Sequence, residues 1–579
     1  MMMKPKLFVL AVAYCATLAV QAVPANPRCV VLPQTDGSSV SVRLVGDEWH
    51  SRLVTADDGL AVCRDASGDV YYKLDGRTTA VRVHDPAARS AAERAFIEAN
   101  RAALTTIAPP TEWQLARRTS AGPQRVGSTQ VPVTGSPRIP ILLVQYTDKP
   151  MANPLDAFVA QYTEGDSSVY QYFVDQSWGQ YEPQFDVYGI YSLPATRATY
   201  GAHGYRSGRE VNDIGVGQMV CDAITQAGSD IDWSVYDNDG DGEVDVCIVV
   251  YAGVGEAQGY VDDSVWPCQW NLSSAKYYGD GTGQQMRNGK RINRFAVFNE
   301  LHGRDDDGSQ LDGIGTFCHE FSHCLGLPDF YETTYKYGYY GMGNWSLMCG
   351  GCYNNDSYTP CGYTAYERAF MGWMQLTQAV PDTHYRLADI ALPNAQAVKI
   401  TNDANANEYY ILENRQLTGW NTYMASEGLM VTHVTYDAYA WQHNTVNNAS
   451  MQRMTIIAAD GEPSDSTEVG DLYPWQGNDC PTDTSTPPAA VNTGGLMGKP
   501  VTGITLADGK VSFNFMLNEP LRGDVNTDGR IDIIDVNIAI NIVLEKESDT
   551  TVIALADLDQ SGNVDIADIN ALVNIILTQ

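Results

Sequence analysis

One stretch of the chain places two histidines and two carboxylates at spacings that suit metal-dependent hydrolysis. His319 and His323 are four positions apart, so a helix would put both imidazoles on one face. Two such imidazoles reach one Zn²⁺ at about 2.0–2.1 Å, and the carboxylate of Glu320 would lie beside them as a general base. Asp329 follows a Gly and a Pro that end the helix and supplies a third ligand. The pattern predicts a catalytic zinc site with three protein ligands and one open position.

An apolar stripe indicates the helix that must carry this site. Its members recur at helical spacing: Ile314, Phe317, Phe321 and Leu325. Two alternatives stay open. The histidine pair could belong to the core of a structural helix, or Glu367 could replace Asp329 as the third ligand.

Residues further along the chain extend the zinc prediction. Met348 lies in a Gly-flanked segment downstream, where the metzincin class has a methionine turn below its metal. A tyrosine after this turn is a candidate for holding the substrate oxyanion, and three are present, Tyr353, Tyr363 and Tyr366.

An acidic loop upstream has the spacing of calcium ligands. Acidic side chains alternate around Gly242, which suits a tight bend. The predicted ligands are Asp237, Asp239, Asp241, Glu243 and Asp245. Position twelve of the loop is Ile248, which has no ligand atom, so a complete EF-hand is excluded. The prediction is one Ca²⁺ that supports the fold, and an acidic turn without metal is the alternative.

The C-terminal region contains two similar twelve-residue loops, each followed by an apolar helical segment. Both have calcium-ligand types at positions 1, 3, 5, 9 and 12 and Gly at position 6. The ligands predicted in the first loop are Asp524, Asn526, Asp528, Arg530, Asp532 and Asp535. Those in the second are Asp557, Asp559, Ser561, Asn563, Asp565 and Asp568. Paired units of this kind look like a dockerin, which binds a cohesin in a calcium-dependent way. A calcium-stabilised cap without a partner is the alternative.

Composition limits the partners and the compartment. The 579 residues have a formal charge of −33, which argues against nucleic acid or an anionic membrane as partner. Two lysines and an apolar run precede a small residue at position 22, which predicts a secretory signal peptide over residues 1–22. No later stretch is apolar enough to span a bilayer, so we expect a secreted, extracellular protein, which a partner could attach to the cell surface.

Changes in pattern predict a multidomain α+β chain. The predicted divisions are a signal peptide (1–22), a β-rich pro-segment (23–118), a linker (119–137), a catalytic domain (138–378), a β-rich module resembling a sandwich (379–516) and a small all-α calcium-binding domain (521–579). A domain between signal and linker suggests a latent precursor. Cys29, Cys63 and Asp57 are candidates for blocking the open zinc position, and the sequence does not choose among them.

Several further motifs resemble the immune inhibitor A family of secreted zinc metallopeptidases. They are Tyr-Phe-Val-Asp-Gln-Ser-Trp-Gly (172–179), Tyr-Ala-Gly (251–253), Val-Trp-Pro (265–267), Trp-Ser-Leu-Met (345–348), Leu-Glu-Asn-Arg-Gln-Leu-Thr-Gly-Trp (412–420) and Gly-Leu-Met-Val-Thr-His-Val (428–434). The resemblance covers about residues 27–516. One departure is Ser322, where the family often has Gly in its HEFGH motif.

The resemblance implies a zincin fold of the metzincin type and an endopeptidase that cleaves proteins or peptides. It also implies zinc on His319, His323 and Asp329, Glu320 as the base, and calcium as a support of the fold. The alternative function is a catalytically inactive, dockerin-bearing component of an extracellular assembly. The intact Glu320 argues against that alternative.

Overall fold

A computed structural model describes residues 23–47, 51–65, 67–74, 76–105, 131–206, 209–258, 261, 263–303, 308–517, 523–526, 531–546, 549–559 and 561–578. The predicted signal peptide, most of the predicted linker, and the predicted ligands Asp528 and Arg530 lie outside these residues. The described residues form four apolar cores. Mixed α/β architecture over several modules agrees with the class predicted from the sequence.

The N-terminal module is an antiparallel meander with one helix. Its strands are β1 (Val30–Pro33), β2 (Ser39–Val45), β3 (Arg52–Thr55), β4 (Ala61–Arg64), β5 (Val70–Leu74) and β6 (Arg77–Arg82), each paired with the next along the chain. Helix α1 (Ala91–Thr105) packs its apolar side on this sheet through Ile97 and Leu104. The alternation of apolar and polar residues that predicted strands here is the alternation of core and solvent faces.

A five-stranded sheet forms the centre of the next module. Its strands are β7 (Arg138–Gln145), β8 (Gln184–Ser192), β12 (Cys247–Val254), β13 (Cys268–Asn271) and β16 (Arg294–Leu301), in the order β13-β16-β12-β7-β8. The four strands β16, β12, β7 and β8 are parallel to their neighbours, and β13 pairs antiparallel with β16. Every residue of β12 is buried, because helices and loops cover both faces of the sheet.

Short elements connect and cover this sheet. The helices are α2 (Leu155–Thr163), α3 (Val169–Gln176), α4 (Arg197–Gly201), α5 (Val216–Ala227), α6 (Leu272–Tyr277), α7 (Gly315–Cys324) and α8 (Ala365–Met371), with 3₁₀ turns at Trp233–Tyr236, Gly343–Trp345 and Gly350–Ser357. The short strands are β9 (Gly204–Arg206), β10 (Arg209–Val211), β11 (Glu243–Val244), β14 (Gln285–Arg287) and β15 (Lys290–Ile292). Helix α7, which carries the HExxH motif, contacts β13 and β16.

Helix α5 starts at Val216 after Gly215, which has no side chain to cap the helix. The carboxylate of Asp280 accepts hydrogen bonds from the N–H groups of Gly217 and Gln218, at 2.6 and 3.0 Å. A distant side chain therefore satisfies the first turn of the helix, which sequence patterns cannot reveal.

The second β module lies directly on the catalytic core. Its larger sheet has the order β17-β19-β20-β21-β22 and its smaller sheet the order β18-β24-β23. The bounds are β17 (Thr377–Gln378), β18 (Thr383–Leu387), β19 (Val398–Asn402), β20 (Asn405–Arg415), β21 (Gly428–Thr435), β22 (Met454–Ile456), β23 (Val501–Ala507) and β24 (Lys510–Phe515), with helix α9 (Ala438–Gln442) and 3₁₀ turns at Gly419–Asn421 and Glu468–Gly470.

Strand β20 is buried on both faces. Tyr410 and Leu412 belong to the core between the two sheets, whereas Tyr409 and Ile411 belong to the catalytic core. This alternation follows from the two-residue period of a strand. The module is therefore held against the catalytic domain by a continuous apolar layer.

The C-terminal module contains three helices, α10 (Ile533–Val543), α11 (Thr550–Ala556) and α12 (Ile566–Thr578). The sequence predicted the first and third, and α11 is an additional helix. Helix α10 starts at Ile533 because Asp532 and Asp535 form a capping box. Within the described residues, no helix combines the length and apolar character needed to cross a bilayer.

Candidate metal centre and substrate cleft

The HExxH segment forms a helix in the middle of the core. All ten residues of α7 are buried. The helix ends where predicted, since Gly326 takes a positive φ of 107° and the N–H of Leu327 returns to the carbonyl of Ser322 at 3.1 Å. Gly315 is required at its start, because a Cβ there would lie 1.9 Å from the carbonyl oxygen of Cys352. The backbone of helix α7 thus packs directly against the backbone of the segment after Met348.

The three predicted zinc ligands converge on one point. The Nε2 atoms of His319 and His323 are 3.0 Å apart. The Oδ1 atom of Asp329 lies 3.2 Å from the first nitrogen and 3.3 Å from the second. Tetrahedral zinc with bonds of about 2.0–2.1 Å requires donor atoms about 3.3 Å apart. The triangle therefore has the dimensions of three zinc ligands.

Each of these three side chains is oriented by a second bond. His319 donates from Nδ1 to the carbonyl of Leu347 at 2.7 Å, and His323 donates from Nδ1 to that of Leu327 at 2.7 Å. Carbonyl oxygens only accept, so the Nδ1 atoms carry the protons and the Nε2 lone pairs face the triangle. Asn444 holds the remaining oxygen of Asp329 at 2.5 Å through its amide.

The donor set requires a cation. Burial lowers the pKa of His323 and so favours a neutral imidazole. The carboxylate of Asp329 lies beside both imidazoles, with Oδ1 at 3.2 Å and 3.3 Å from their Nε2 atoms. One carboxylate oxygen without a hydrogen-bond donor among the described residues then faces two nitrogen lone pairs. Three converging acceptors repel one another unless a metal ion lies between them.

The alternative third ligand is engaged elsewhere. Glu367 caps its own helix, α8, by accepting from the N–H of Thr364 at 2.6 Å, and its other oxygen accepts from the hydroxyl of Ser346 at 2.6 Å. Asp329, and not Glu367, completes the triangle. Met348 is fully buried, and its carbonyl accepts from the N–H of Phe330 at 2.8 Å, next to Asp329.

The three candidate tyrosines differ in their positions. The hydroxyl of Tyr363 contacts Ser322 inside the core, which also shows how the serine of this HExxH motif is accommodated. Tyr366 packs against Phe330 and Trp441. The hydroxyl of Tyr353 instead donates to the carbonyl of Pro24 at 2.5 Å, in the space beside Glu320 that we call the cleft.

The chain's own N-terminal residues lie in that cleft. We call residues 23–28 the strap. The N–H of Val23 donates to Oε1 of Glu320 at 2.6 Å, and Val23 is fully buried. The carbonyl of Val23 accepts from the indole of Trp266 at 3.0 Å, and that of Pro24 accepts from the hydroxyl of Tyr353 at 2.5 Å.

The latency candidates drawn from the sequence are not the residues in the cleft. Cys29 is exposed, Asp57 is exposed, and the sulfur of Cys63 lies against Thr78 at 3.2 Å on the meander sheet. The blocking group is the backbone N–H of Val23, and a backbone contact leaves no residue-type signal in the sequence. The cysteines flanking the motif, Cys318 and Cys324, are buried thiols whose pKa burial raises.

The upstream acidic loop brings three of its five predicted ligands together. Carboxylate oxygens of Asp237, Asp239 and Asp245 lie within 4.8 Å of one another. Burial and the neighbouring aspartates raise the pKa of Asp245 to about 7, although the amide of Asn238 opposes this. A buried acid among like charges is the environment that a bound cation relieves.

The other two predicted ligands of this loop have different contacts. Asp241 accepts from the N–H of Glu243 at 2.8 Å, and Glu243 accepts from Arg291 at 2.6 Å. Lys290 also lies 2.5 Å from Asp237. The structure therefore groups Asp237, Asp239 and Asp245, and it places Asp241 and Glu243 outside that group.

The two C-terminal loops repeat each other in their hydrogen bonds. Asp535 accepts from the N–H groups of Val525, Asn526 and Asp532, at 2.7, 3.1 and 2.8 Å. Asp568 accepts from those of Leu558, Asp559 and Asp565, at 2.7, 3.2 and 2.9 Å. The internal repeat read from the sequence is thus a structural repeat.

Carboxylates that could bind a metal ion are clustered in the second of these loops. Asp557, Asp559 and Asp568 offer oxygens within 4.8 Å of one another. The hydroxyl of Ser561 donates to the carbonyl of Asn563, and the carboxylate of Asp565 accepts from the N–H of Ala567. The side chain of Asn563 is exposed. In the first loop, Asp524, Asn526 and Asp532 are described, and Asp532 caps α10.

Comparison with known proteins assigns two parts of the chain. Residues 146–376 match the family described as the immune inhibitor A peptidase M6 catalytic domain. Residues 522–577 match the dockerin type I domain. The first match contains the whole triangle, and the second contains both repeated loops. These families confirm zinc and calcium as the cofactors of the two domains.

Curated relatives show the same relationship at low identity. The chain is 28% identical over 220 residues to "Immune inhibitor A" of Bacillus thuringiensis subsp. alesti, which covers 34% of this chain and 31% of the relative. It is 26% identical over 225 residues to "Pre-pro-metalloprotease PrtV" of Vibrio cholerae serotype O1 (strain M66-2), which covers 35% of this chain and 23% of the relative. The match thus spans less than a third of each relative. The chain carries a peptidase M6 catalytic domain of the immune inhibitor A family and a dockerin type I domain.

Proposed function

We propose that this protein is a secreted, zinc-dependent endopeptidase that hydrolyses peptide bonds in proteins. The triangle of His319, His323 and Asp329 carries the proposal, because its separations and its orienting bonds fit tetrahedral zinc. Bound zinc would lower the pKa of its water and polarise the substrate carbonyl. Residues 1–22 as a signal peptide and secretion are parts of this proposal.

The chain's own residues supply the proton transfers. Glu320 lies in the next position of the same helix and faces the cleft, where it takes a proton from the attacking water and returns it to the leaving nitrogen. The surrounding core excludes bulk water from the buried carboxylate. Leu347 and Leu327 keep the two imidazoles in the tautomer that presents Nε2.

The proposal includes synthesis as a latent precursor. The strap blocks Glu320, and contacts with the N-terminal module and with the catalytic part hold it in place. Its Ala25 N–H bonds the carbonyl of Gly46 at 2.8 Å, and its Asn26 N–H bonds that of Ala257 at 3.0 Å. Arg28 pairs with Asp356 at 2.5 Å. A substrate cannot enter while these contacts persist, so release of residues 23–118 is the activating step that we propose.

The dockerin domain would attach the enzyme to a partner protein. We propose that its two loops bind Ca²⁺ through the predicted aspartates and that it docks on a cohesin. Exposed apolar residues at matching positions of the two repeats, Ile533, Ile534 and Ile566, offer the surface. The calcium ligands Asp237, Asp239 and Asp245 would stabilise the catalytic domain itself.

The alternative, an inactive binding component, lacks support at the metal centre. Such a protein has no need for an intact general base or for orienting bonds on all three ligands. The triangle and Glu320 are both present. The endopeptidase is therefore the better account.

Metal analysis combined with a protease assay tests the proposal. The purified chain should contain about one zinc in the catalytic domain, and it should degrade casein once residues 23–118 have been released. A zinc chelator should abolish this cleavage, and added Zn²⁺ should restore it. Cleavage that persists in the fully chelated protein would contradict the proposal.

A matched pair of variants tests the latency. Val23→Asp places a carboxylate against Glu320 and should raise casein cleavage by the unprocessed chain. Val31→Asp makes the same change at a residue of the same module that is 62% exposed, and it should leave latency intact. Equal activity of the two unprocessed variants would contradict the role of the strap.

A further inference from the structure

The strap touches the cleft through the atoms that every peptide shares. Val23 uses its main-chain nitrogen and its carbonyl, and Pro24 uses its carbonyl. The partners are three side chains of the catalytic domain, Glu320, Trp266 and Tyr353. A substrate offers the same backbone groups, so these partners remain suitable after the strap leaves.

The contact with Glu320 fixes which part of a substrate the strap resembles. In peptide hydrolysis the general base returns its proton to the nitrogen of the residue that follows the broken bond. The nitrogen of Val23 lies 2.6 Å from Oε1 of Glu320, which is the position of that leaving nitrogen. Val23 therefore corresponds to the first residue after the scissile bond, and Pro24 corresponds to the second.

We propose that Trp266 and Tyr353 are the positioning residues that hold the first two carbonyls on the leaving-group side of the substrate. This inference rests on the proposed endopeptidase function. Trp266 is fully buried and Tyr353 is 8% exposed. Their donor groups would be left facing the cleft when the strap departs. A buried donor without an acceptor is unfavourable, so an incoming substrate carbonyl is favoured in its place.

The same contacts define a preferred substrate class. The side chain of Val23 is fully buried and belongs to the catalytic core cluster, so the first pocket takes a branched aliphatic residue. Pro24 has no N–H, so the second position requires no backbone donor. Proteins cleaved before Val or Ile, with Pro accepted next, are the substrates that the cleft fits.

The catalytic domain also makes a hydrogen bond to the main chain of the fourth strap residue. The N–H of Ala25 bonds Gly46, which belongs to the N-terminal module and leaves with it. The N–H of Asn26 bonds Ala257, which belongs to the catalytic part. A substrate therefore gains bonds at its first, second and fourth leaving-side residues from the processed enzyme.

Cleavage-site profiling tests the first pocket. The active enzyme is given a peptide library derived from a proteome, and the cuts are located by mass spectrometry against a Glu320→Gln blank. We expect Val and Ile to be enriched directly after the cut bond. Glu320-dependent cuts without this enrichment would overturn the inference and leave the endopeptidase function standing. No Glu320-dependent cut at all would overturn both.

Two small inhibitors separate the two carbonyl contacts. Val-Pro-amide has both carbonyls, whereas Val-pyrrolidide lacks the second one. Since only molecules with an open cleft are active, inhibition of cleavage reports on the open state. Tyr353→Phe should weaken inhibition by Val-Pro-amide about three- to tenfold and leave inhibition by Val-pyrrolidide unchanged. Trp266→Phe should weaken both.

A control distinguishes positioning from a general structural effect. Tyr358→Phe also removes one hydroxyl from this segment, but that hydroxyl donates to the carbonyl of Leu311 at 2.7 Å, away from the strap. This variant should bind both inhibitors as the unmodified enzyme does. For peptide substrates, Tyr353→Phe should raise KM more than it lowers kcat. Equal inhibition of all variants by both compounds would overturn the assignment.

Discussion

At the metal centre of helix α7, the donor atoms of His319, His323 and Asp329 meet inside the apolar core. Groups from distant segments orient His319 and Asp329. In the loop that begins at Asp557, the acidic side chains all come from twelve consecutive residues, and those of Asp557 and Asp568 accept from N–H groups of the same loop. The first arrangement depends on the whole fold, whereas the second forms locally. Metal loss should therefore have different consequences at the two places.

The largest expected effect is at the ligand that completes the triangle. Asp329→Ala removes the only charged donor of the three, and its buried neighbours Asn444 and His323 lose a partner. We expect zinc to be lost and casein cleavage to fall at least about 100-fold. Zinc content by mass spectrometry of the metal and a cleavage assay measure this. An Asp329→Ala protein that retains its zinc would make Glu367 the ligand after all.

A smaller effect is expected at the group that orients Asp329. Asn444→Ala removes the bond to Oδ2 of Asp329 without removing a ligand, and it should weaken zinc binding about 10- to 100-fold. Competition with a chromogenic chelator measures the affinity.

Asn448→Ala is the matched control for this variant. Asn448 makes comparable bonds to Thr333, at 3.0 and 3.1 Å, but it does not touch a ligand. Its zinc affinity should be unchanged. Equal weakening by the two substitutions would mean that the effect comes from the packing of this segment.

The calcium loops should respond locally. Asp568→Ala removes a carboxylate that accepts three N–H groups of its loop, so the C-terminal module should lose calcium-dependent protection from proteolysis. Casein cleavage should stay unchanged, since the catalytic core does not depend on this loop. Glu545→Gln, which removes an exposed charge outside both loops, should preserve the protection. A parallel loss of casein cleavage in Asp568→Ala would break the contrast between the two regions.

The smallest effect is expected at a buried carboxylate that serves neither kind of site. Burial, with Asp460 and Glu468 nearby, raises the pKa of Asp471 to about 8, although its bond to the indole of Trp345 opposes this. In the unfolded chain the pKa is near 3.8. Between these values the folded state keeps the proton and the unfolded state does not, so this group's stability contribution falls as pH rises from about 4 to 8.

Asp471→Asn keeps an acceptor for Trp345 and cannot ionise. It should raise the melting temperature near pH 8 by about 2–4 °C for each kcal/mol gained, and the difference should vanish near pH 4. Melting curves across this range measure it. A gain that is independent of pH would mean that ionisation of Asp471 is not its origin.

The sequence predicts well whatever is encoded within a few residues. The four-residue spacing in α7, the break at Gly326, and the repeated bonds of Asp535 and Asp568 all follow from local spacing. Contacts that join distant segments were not predictable. Asn444 lies 115 positions from Asp329, and Val23 lies 297 positions from Glu320.

The candidates that the sequence suggested wrongly failed for the same reason, namely contacts between distant segments. Glu367 has the right chemistry for a ligand, but its position after Thr364 makes it a helix cap. Cys29 and Cys63 have reactive side chains, whereas the group in the cleft is a backbone N–H that any residue carries. Residue type indicates capability, and only the fold determines which groups meet.

The central claim is that Glu320 acts on the substrate and does not hold the metal. Glu320→Gln keeps the size and polarity of the side chain, removes the proton acceptor and leaves the triangle of ligands intact. The account predicts a protein with a full complement of zinc whose casein cleavage is lower by at least about 100-fold. Full cleavage by a zinc-loaded Glu320→Gln protein would contradict it.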